Sequence, residues 1–237
     1  MNRSKKTFEQ KDLTSQEPLS AGCFSSWLRH TRIGLLKNHE ATVPCNDCNV
    51  CCRSSYFIHI KPEETEAIGY IHKKLLFPAP GLPKGNLLLG YDQDGRCPML
   101  VENQCSIYEN RPQTCRSYDC RIFTAAGIAA DEADKVLINQ QIKRWRFSYP
   151  TPRDLRQHLA VQAAANFLKD HPDCFPAGFI PRNSTQLAIL AIKVYDVFLK
   201  TDPNHGKAQT SDEELTQAVL KSYEEFSNLT QSYHRVT

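Results

Sequence analysis

The spacing of apolar residues changes partway along the chain. After residue 130, apolar side chains recur at helical spacing in the segments 131–147, 153–169 and 184–200. A further helix is predicted to begin at Ser211, because Ser211 and Glu214 form the sequence pattern of a capping box. Earlier in the chain, short apolar runs alternate with turn residues. The pattern predicts an α+β fold, with short strands first and a mainly α-helical segment after them.

Each predicted helix of the second half has an apolar stripe that we expect to face the core. The stripes of the first two helices consist of Ile138, Ile142 and Trp145, and of Leu155, Leu159, Ala163 and Phe167. The third helix contains the run LAILAIKVYDVFL, which is interrupted by Lys193 and Asp196. This run is too short and too charged for a membrane span, so a buried helix is predicted.

The residue pattern of the first half of the chain predicts strands and tight turns around short helices. The segment YFIHI (56–60) is aromatic and β-branched, which favours a strand. A helix is predicted for residues 61–76, which have a proline near the start, acids in the first turn and lysines in the last. Asp94-Gly95 and Glu102-Asn103 are typical of tight turns between strands. Further upstream, the side chains of Phe24, Trp27 and Leu28 share one face of a short amphipathic helix.

The distribution of cysteine gives the clearest domain boundary. Cysteines are dense from Cys45 to Cys120, and only Cys174 follows them. We therefore predict a flexible N-terminal lead at residues 1–20, a cysteine-cluster metal-binding domain at 21–126 and a helical C-terminal segment at 127–237.

Composition narrows the class of protein. With 41% hydrophobic residues the chain can bury a substantial core without covalent cross-links. Its net charge of +3 is spread along the sequence, which disfavours nucleic acid and membrane surfaces as partners. The polar N-terminus lacks the apolar run of a secretory signal. We therefore expect a cytoplasmic protein, whose cysteines stay reduced or bind metal.

Eight of the ten cysteines form an ordered series along the first half of the chain. They are Cys45, Cys48, Cys51, Cys52, Cys97, Cys105, Cys115 and Cys120. Two residues between successive cysteines let the backbone turn so that both sulfurs face one centre, as in zinc knuckles and iron–sulfur proteins. All eight are therefore candidate metal ligands.

Other uses of these thiols have less support. A reducing compartment disfavours disulfides. A catalytic thiol needs a histidine partner, and His59 and His72 are more typical of residues on ordinary secondary structure. Eight thiolates would fill two zinc sites, two cubane clusters, or one cluster with spare sulfurs. The C-x2-C-x2-C run matches the opening of the bacterial ferredoxin pattern, although Cys52 follows Cys51 directly. An iron–sulfur cluster of the 4Fe–4S type is favoured over zinc, and both remain open.

The ordered segments CNDCNVCCR, DGRCPML, CSIYENRP and CR resemble the YkgJ-type cysteine-cluster family, a zinc- or iron-chelating domain with a CxxCxxCC signature. The resemblance covers residues 45–120. It implies that the cysteines from Cys45 to Cys115 are metal ligands, and Cys120 lies beyond the aligned motifs. The family includes proteins labelled as iron–sulfur proteins and flagellin lysine N-methylases.

Charged residues beside the cysteines have two interpretations. Arg53, Arg111 and Arg116 would stabilise thiolates, or would pair with surface acids. Motifs for dinucleotide, nucleotide or zinc-protease sites do not occur in the sequence. Three functions stay open: a cluster-binding protein of redox or protein-modifying chemistry, a zinc-stabilised module that recognises a partner protein, and a lysine N-methylase-like enzyme. The last two imply a protein partner or a protein substrate.

Overall fold

The structure is a computed structural model that describes residues 17–37, 41, 43, 48–130, 135–200 and 211–236. The helices are α1 (Phe24–Lys37), α2 (Thr65–Tyr70), α3 (Gln113–Ser117), α4 (Arg121–Ala126), α5 (Val136–Ile142), α6 (Pro152–Asp170), α7 (Ser184–Lys200) and α8 (Asp212–Val236). The strands are β1 (Leu19–Cys23), β2 (Ile58–Ile60), β3 (Leu76–Pro78), β4 (Leu87–Leu89), β5 (Leu100–Val101), β6 (Gln104–Cys105) and β7 (Trp145–Ser148). The predicted α+β class is confirmed.

The larger core lies among five helices. Each contributes a fully buried apolar side chain: Phe24 from α1, Phe123 from α4, Val161 from α6, Ile192 from α7 and Val219 from α8. The predicted α1 face and the buried α7 are thereby confirmed. The capping box that starts α8 is also present, with the Ser211 and Glu214 side chains each accepting from the other's backbone N–H. The helical segment is therefore built largely as its periodicity predicts.

Trp145 is not helical, contrary to the prediction for residues 131–147. Helix α5 ends at Ile142, and Trp145 begins β7, which pairs in parallel with β1 through the Leu19–Trp145 register. Burial alternates along β7, so Trp145 and Phe147 face the core while their neighbours are exposed. The apolar pattern after α5 has a period of two, which is the period of a strand. Residues 131–134 of the predicted helix lie outside the described part of the chain.

Helix α6 is present, but the predicted core stripe is confirmed only at Phe167, which is buried, and is wrong at its other three residues. Leu155 and Leu159 are 46% and 54% exposed, and Ala163 is exposed too. The buried face contains polar residues that find partners in the core. The Asp154 carboxylate accepts from the backbone N–H of Ser25 at 3.0 Å, and the buried Asp154 and His158 replace the predicted leucines. Periodicity cannot show in advance that a buried polar group has a partner.

The cysteine-rich half has a small core of its own. Strands β2, β4 and β3 form an antiparallel sheet in that order, and β5 pairs with β6. Ile60, Ile71, Leu89 and Ile107 are buried together beneath them. The predicted strand at 56–60 is confirmed in its second part. Both residues of the Glu102-Asn103 turn have positive φ, as a tight hairpin requires.

The helix predicted for residues 61–76 is much shorter than expected. Helix α2 covers only Thr65–Tyr70, because the backbone of Ile71 and His72 is extended. That extension lets the Ile71 side chain enter the small core. A single turn of 3-10 helix then leads into β3.

The two regions are joined by contacts between distant segments. The Trp27 indole donates to the buried Asp119 carboxylate at 2.9 Å, and Asp119 also pairs with Arg121 at 2.8 Å. The Arg121 guanidinium donates further to the carbonyl of Ala21 in β1. The division at 1–20, 21–126 and 127–237 stays a prediction; residues 1–16 of the lead lie outside the described chain, and Leu19 already belongs to β1. None of the described helices has the length and apolar character to cross a membrane.

Candidate metal centre

Seven of the eight predicted ligands meet at one cavity of about 440 Å³. They are Cys48, Cys51, Cys52, Cys97, Cys105, Cys115 and Cys120. The eighth, Cys45, lies outside the described residues. The two cysteines that the sequence set apart, Cys23 and Cys174, do not line this cavity. The fold therefore brings together thiols that are up to 72 residues apart in the sequence, from Cys48 to Cys120.

Backbone hydrogen bonds fix the first two groups of cysteines against each other. Cys51 and Cys52 lie in a turn of 3-10 helix, and the Cys52 carbonyl accepts from the backbone N–H of Cys97 at 2.7 Å. Gly95 accepts in the same way from Ser55 at 3.0 Å. Gly95 has φ +74°, and a β-carbon there would lie 2.4 Å from the Ser55 hydroxyl oxygen. The positive φ favours glycine at this position, and a side chain there would also displace the Ser55 hydroxyl.

The remaining cysteines come from a hairpin and a short helix. Cys105 lies in β6, opposite Leu100 of β5. Cys115 is in α3, which is held on β2 because the Thr114 hydroxyl donates to the His59 carbonyl at 2.6 Å. The His59 imidazole itself is paired with a loop residue, since its Nε2 lies 2.8 Å from Oδ1 of Asn86.

The thiols surround the cavity without converging on a single point. The Cys51 and Cys52 sulfurs are 4.0 Å apart. Among the described residues, however, no group of three Cys, His, Asp or Glu side chains is close enough to enclose one metal ion. All nine described cysteines are free thiols, so none of them is in a disulfide. The donor set is soft thiolate sulfur, which suits zinc and iron–sulfur clusters.

Burial makes most of these thiols hard to ionise. Desolvation raises the pKa of Cys97 to about 11 and that of Cys115 to about 12. Cys52 differs, because a hydrogen bond from the Cys51 thiol lowers its pKa to about 7, whereas the same bond and burial hold the pKa of Cys51 well above its ordinary value. Buried thiolates need a nearby positive charge, which a bound metal would provide.

Arg111 is the arginine best placed to act on the thiols. Its guanidinium lies 3.6 Å from the centre of the Tyr108 ring, and Nε donates to the Tyr108 carbonyl at 2.7 Å. From there its positive charge lowers the pKa of Cys52, Cys105 and Cys115, against the larger effect of burial on the last two. This position supports the interpretation that Arg111 stabilises thiolates rather than pairing with a surface acid. Arg116 also lines the cavity, whereas Arg53 does not.

Sequence reasoning missed three aromatic residues around the cavity: Tyr56 and Tyr118 line it, and Trp145 contacts its lining residue Cys120. The Trp145 indole donates to the buried Cys120 sulfur at 3.1 Å, and the Tyr118 hydroxyl donates to that of Tyr56 at 3.2 Å. Burial raises the pKa of Tyr118 far above its ordinary range, so Tyr118 remains neutral. Trp145 reaches Cys120 only because β7 pairs with β1. No local signal in the sequence could have indicated that contact.

Comparison with known proteins bears on the same segment. Residues 44–141 match a family described as "CxxCxxCC: Putative zinc- or iron-chelating domain". Among curated proteins and among solved structures, none matches the chain. The family match confirms the resemblance and supports metal binding in general. The model of this family spans residues 44–141 of the chain, and that segment contains all eight predicted ligands.

Proposed function

We propose that the cysteine cavity holds an iron–sulfur cluster of the 4Fe–4S type. The observation that carries this proposal is the arrangement of seven thiols around one cavity of about 440 Å³. A tetrahedral zinc site with Zn–S bonds of about 2.3 Å needs sulfurs only about 3.8 Å apart. A cubane separates its cysteine sulfurs further, because its own iron and sulfide atoms lie between them. Thiols spread around a cavity therefore fit an iron–sulfur cubane better than a single zinc ion.

Cys52 interacts electrostatically with most of the other thiols around the cavity. Its negative charge raises the pKa of Cys48, Cys97, Cys105 and Cys115, which indicates that all four lie within electrostatic range. These residues and Cys51 would supply the four thiolates that a cubane requires, with thiols to spare. Cys120, with its hydrogen bond from Trp145, is the least exposed of the set.

The surroundings suit a redox centre. A bound cluster would supply one-electron chemistry, at a potential set by hydrogen bonds, charge and exposure. The Trp145 indole supplies a hydrogen bond to a cysteine sulfur, and the Arg111 guanidinium supplies positive charge. Apolar side chains such as Leu89, Met99 and Ile138 line the same cavity and would limit the access of water. Redox or protein-modifying chemistry, a protein substrate and a cytoplasmic location belong to this proposal as its predictions.

Zinc is the second candidate, and one distance favours it. The 4.0 Å between the Cys51 and Cys52 sulfurs is close to the spacing of two thiolates on one tetrahedral zinc ion. In that case the domain would be a zinc-stabilised module, and its function would be to recognise a partner protein.

Two serine variants of the full chain, isolated without oxygen, test the proposal. The unmodified protein should be brown, with broad visible absorption that bleaches on reduction. Cys52→Ser should lose most of this absorption, because it removes the thiol whose charge acts on Cys48, Cys97, Cys105 and Cys115. Cys174→Ser is the matched control, since Cys174 is exposed and does not line the cavity.

Either of two results would contradict the iron–sulfur assignment. A colourless protein that releases zinc to a chelator would favour the second candidate. Equal absorption in the Cys52→Ser and Cys174→Ser proteins would show that the cavity is not the site of the cluster.

A further inference from the structure

A second cavity, of about 410 Å³, lies between α1, α6 and α7, and no cysteine lines it. One wall is a single face of α1, formed by Ser25, Arg29 and Arg32 at helical spacing. The opposite wall contains Arg153 and Gln157, one turn apart on α6. The polar and charged side chains of this cavity therefore come mainly from α1 and α6.

The lining is rich in positive charge. Arg29, Arg32 and Arg153 all contribute to it, and none of the cavity's lining residues is acidic. Arg32 is held in place, since its Nη2 lies 3.1 Å from the Asp196 carboxylate and its guanidinium lies 4.9 Å from the centre of the Tyr195 ring. Arg29 and Arg153 are exposed. Asp196 balances one of the three charges, so an excess of positive charge faces the cavity.

One buried polar atom of this lining, Oε1 of Gln157, has no hydrogen-bond partner. The Ser25 hydroxyl instead interacts with the Asp154 carboxylate. Gln157 is only 4% exposed, and its Nε2 donates to the Tyr195 hydroxyl at 3.2 Å. Buried polar groups of this kind are rare in folded proteins, and each costs stability unless a ligand or water satisfies it.

The nearby Asp154 does not compete for the arginines. Its carboxylate accepts from the backbone N–H of Ser25 and from Cys23 on one oxygen, and from Thr151 on the other. These donors hold its pKa well below the usual range. The hydrogen bonds of the Asp154 carboxylate therefore come from Cys23, Ser25 and Thr151 and not from an arginine of the cavity.

We propose that this cavity binds a small phosphomonoester that also carries hydroxyl groups. Guanidinium groups match phosphate oxygens in charge and geometry, which accounts for Arg29 and Arg153 at the mouth. Gln157 Oε1 accepts from a hydroxyl of the ligand. The cavity volume is in the range of small-molecule sites in proteins. The inference is independent of the metal proposed for the cysteine cavity.

Calorimetric titration of the full chain with glycerol 3-phosphate and with inorganic phosphate tests the site. Glycerol 3-phosphate should bind more tightly, because only it brings hydroxyls to Gln157. Arg153→Gln should weaken its binding about tenfold, the loss expected for one charged hydrogen bond. Arg156→Gln is the matched control, because Arg156 is exposed on the same helix three residues away and does not line the cavity. The affinity of the Arg156→Gln protein for glycerol 3-phosphate should equal that of the unmodified chain.

Three results would overturn the proposal. The first is no binding of either compound at millimolar concentration. The second is an equal loss of affinity in Arg153→Gln and Arg156→Gln, which would reflect general charge attraction. The third is equal affinity for the two compounds, which would remove the role given to Gln157. Both substitutions are at exposed positions, so the fold should be retained, and far-ultraviolet circular dichroism would verify it.

Discussion

Single buried polar residues hold much of the helical core in register, and His158 is the clearest case. Its Nδ1 is 2.7 Å from the Tyr149 hydroxyl, and its ring stacks on Phe24 at 4.4 Å. Its Nε2 lies 3.3 Å from the Thr124 carbonyl. Burial lowers the pKa of His158 below its ordinary 6.5. The core is therefore adapted to a neutral imidazole.

This environment predicts an acid sensitivity. The unfolded chain takes up a proton near pH 6.5 more readily than the folded His158 does, so stability is complete above that pH and falls as the pH decreases. His158→Asn should give a smaller decrease in the free energy of unfolding between pH 7 and pH 5, measured by urea titration. The pKa of Asp154 is lowered, so the unfolded Asp154 takes up protons mainly below this interval, near pH 4 and lower. The same slope in both proteins would contradict the prediction.

The cysteine set shows how far residue patterns alone can predict a site. Seven of the eight predicted thiols line one cavity, and the C-x2-C spacing accounts for Cys48 and Cys51, because a tight turn brings close sulfurs to a common side. Their role as metal ligands stays a prediction. The spacing could not predict Trp145 or Tyr118. Tyr118 lines the cavity and Trp145 contacts Cys120 through packing and strand pairing between remote segments, which leave no local trace in the sequence.

At the scale of elements, local signals predicted local structure. The hairpin turn at Glu102-Asn103 and the capped start of α8 follow from residue types within a few positions. The α6 stripe and the helix at Trp145 were wrong because partners from β1 and α1 decide which face is buried. Tertiary contacts therefore override periodicity where a distant strand or polar group supplies the partner.

Gly95 gives a test of how the cysteine loops are positioned. Gly95→Ala should lower the free energy of unfolding by about 1 kcal/mol more than Gly81→Ala, because overpacking adds to backbone strain. Both glycines have φ +74°, but a β-carbon at Gly81 would meet nothing within 4 Å. Gly95→Ala should also reduce the metal bound per chain, because it separates the loops of Cys52 and Cys97. Equal effects of the two substitutions on stability and metal content would refute this account.

At the scale of the whole molecule, the cysteine cavity lies where two cores meet. Leu89 of the small core and Ile138 of the helical core line the same cavity. The small core has four buried apolar residues, so burial stabilises it far less than the helical core. The cysteine-rich half should therefore depend on its metal more strongly than α6 and α7 do.

Removal of the metal should loosen the two halves unequally. After anaerobic treatment with a chelator, amide hydrogen exchange should become faster in residues 48–120, where the ligands hold the loops together. Exchange in α6 and α7 should remain slow, since their contacts are within the larger core. An equal increase in both regions would show that the metal stabilises the whole fold rather than the cysteine-rich half.

The most direct test of the central claim is the amount of iron, acid-labile sulfide and zinc per chain in protein isolated without oxygen. A single cubane predicts about four iron atoms and about four sulfides for each chain. Stoichiometric zinc without iron or sulfide would contradict the iron–sulfur proposal, and a chain free of all three would contradict the metal centre itself.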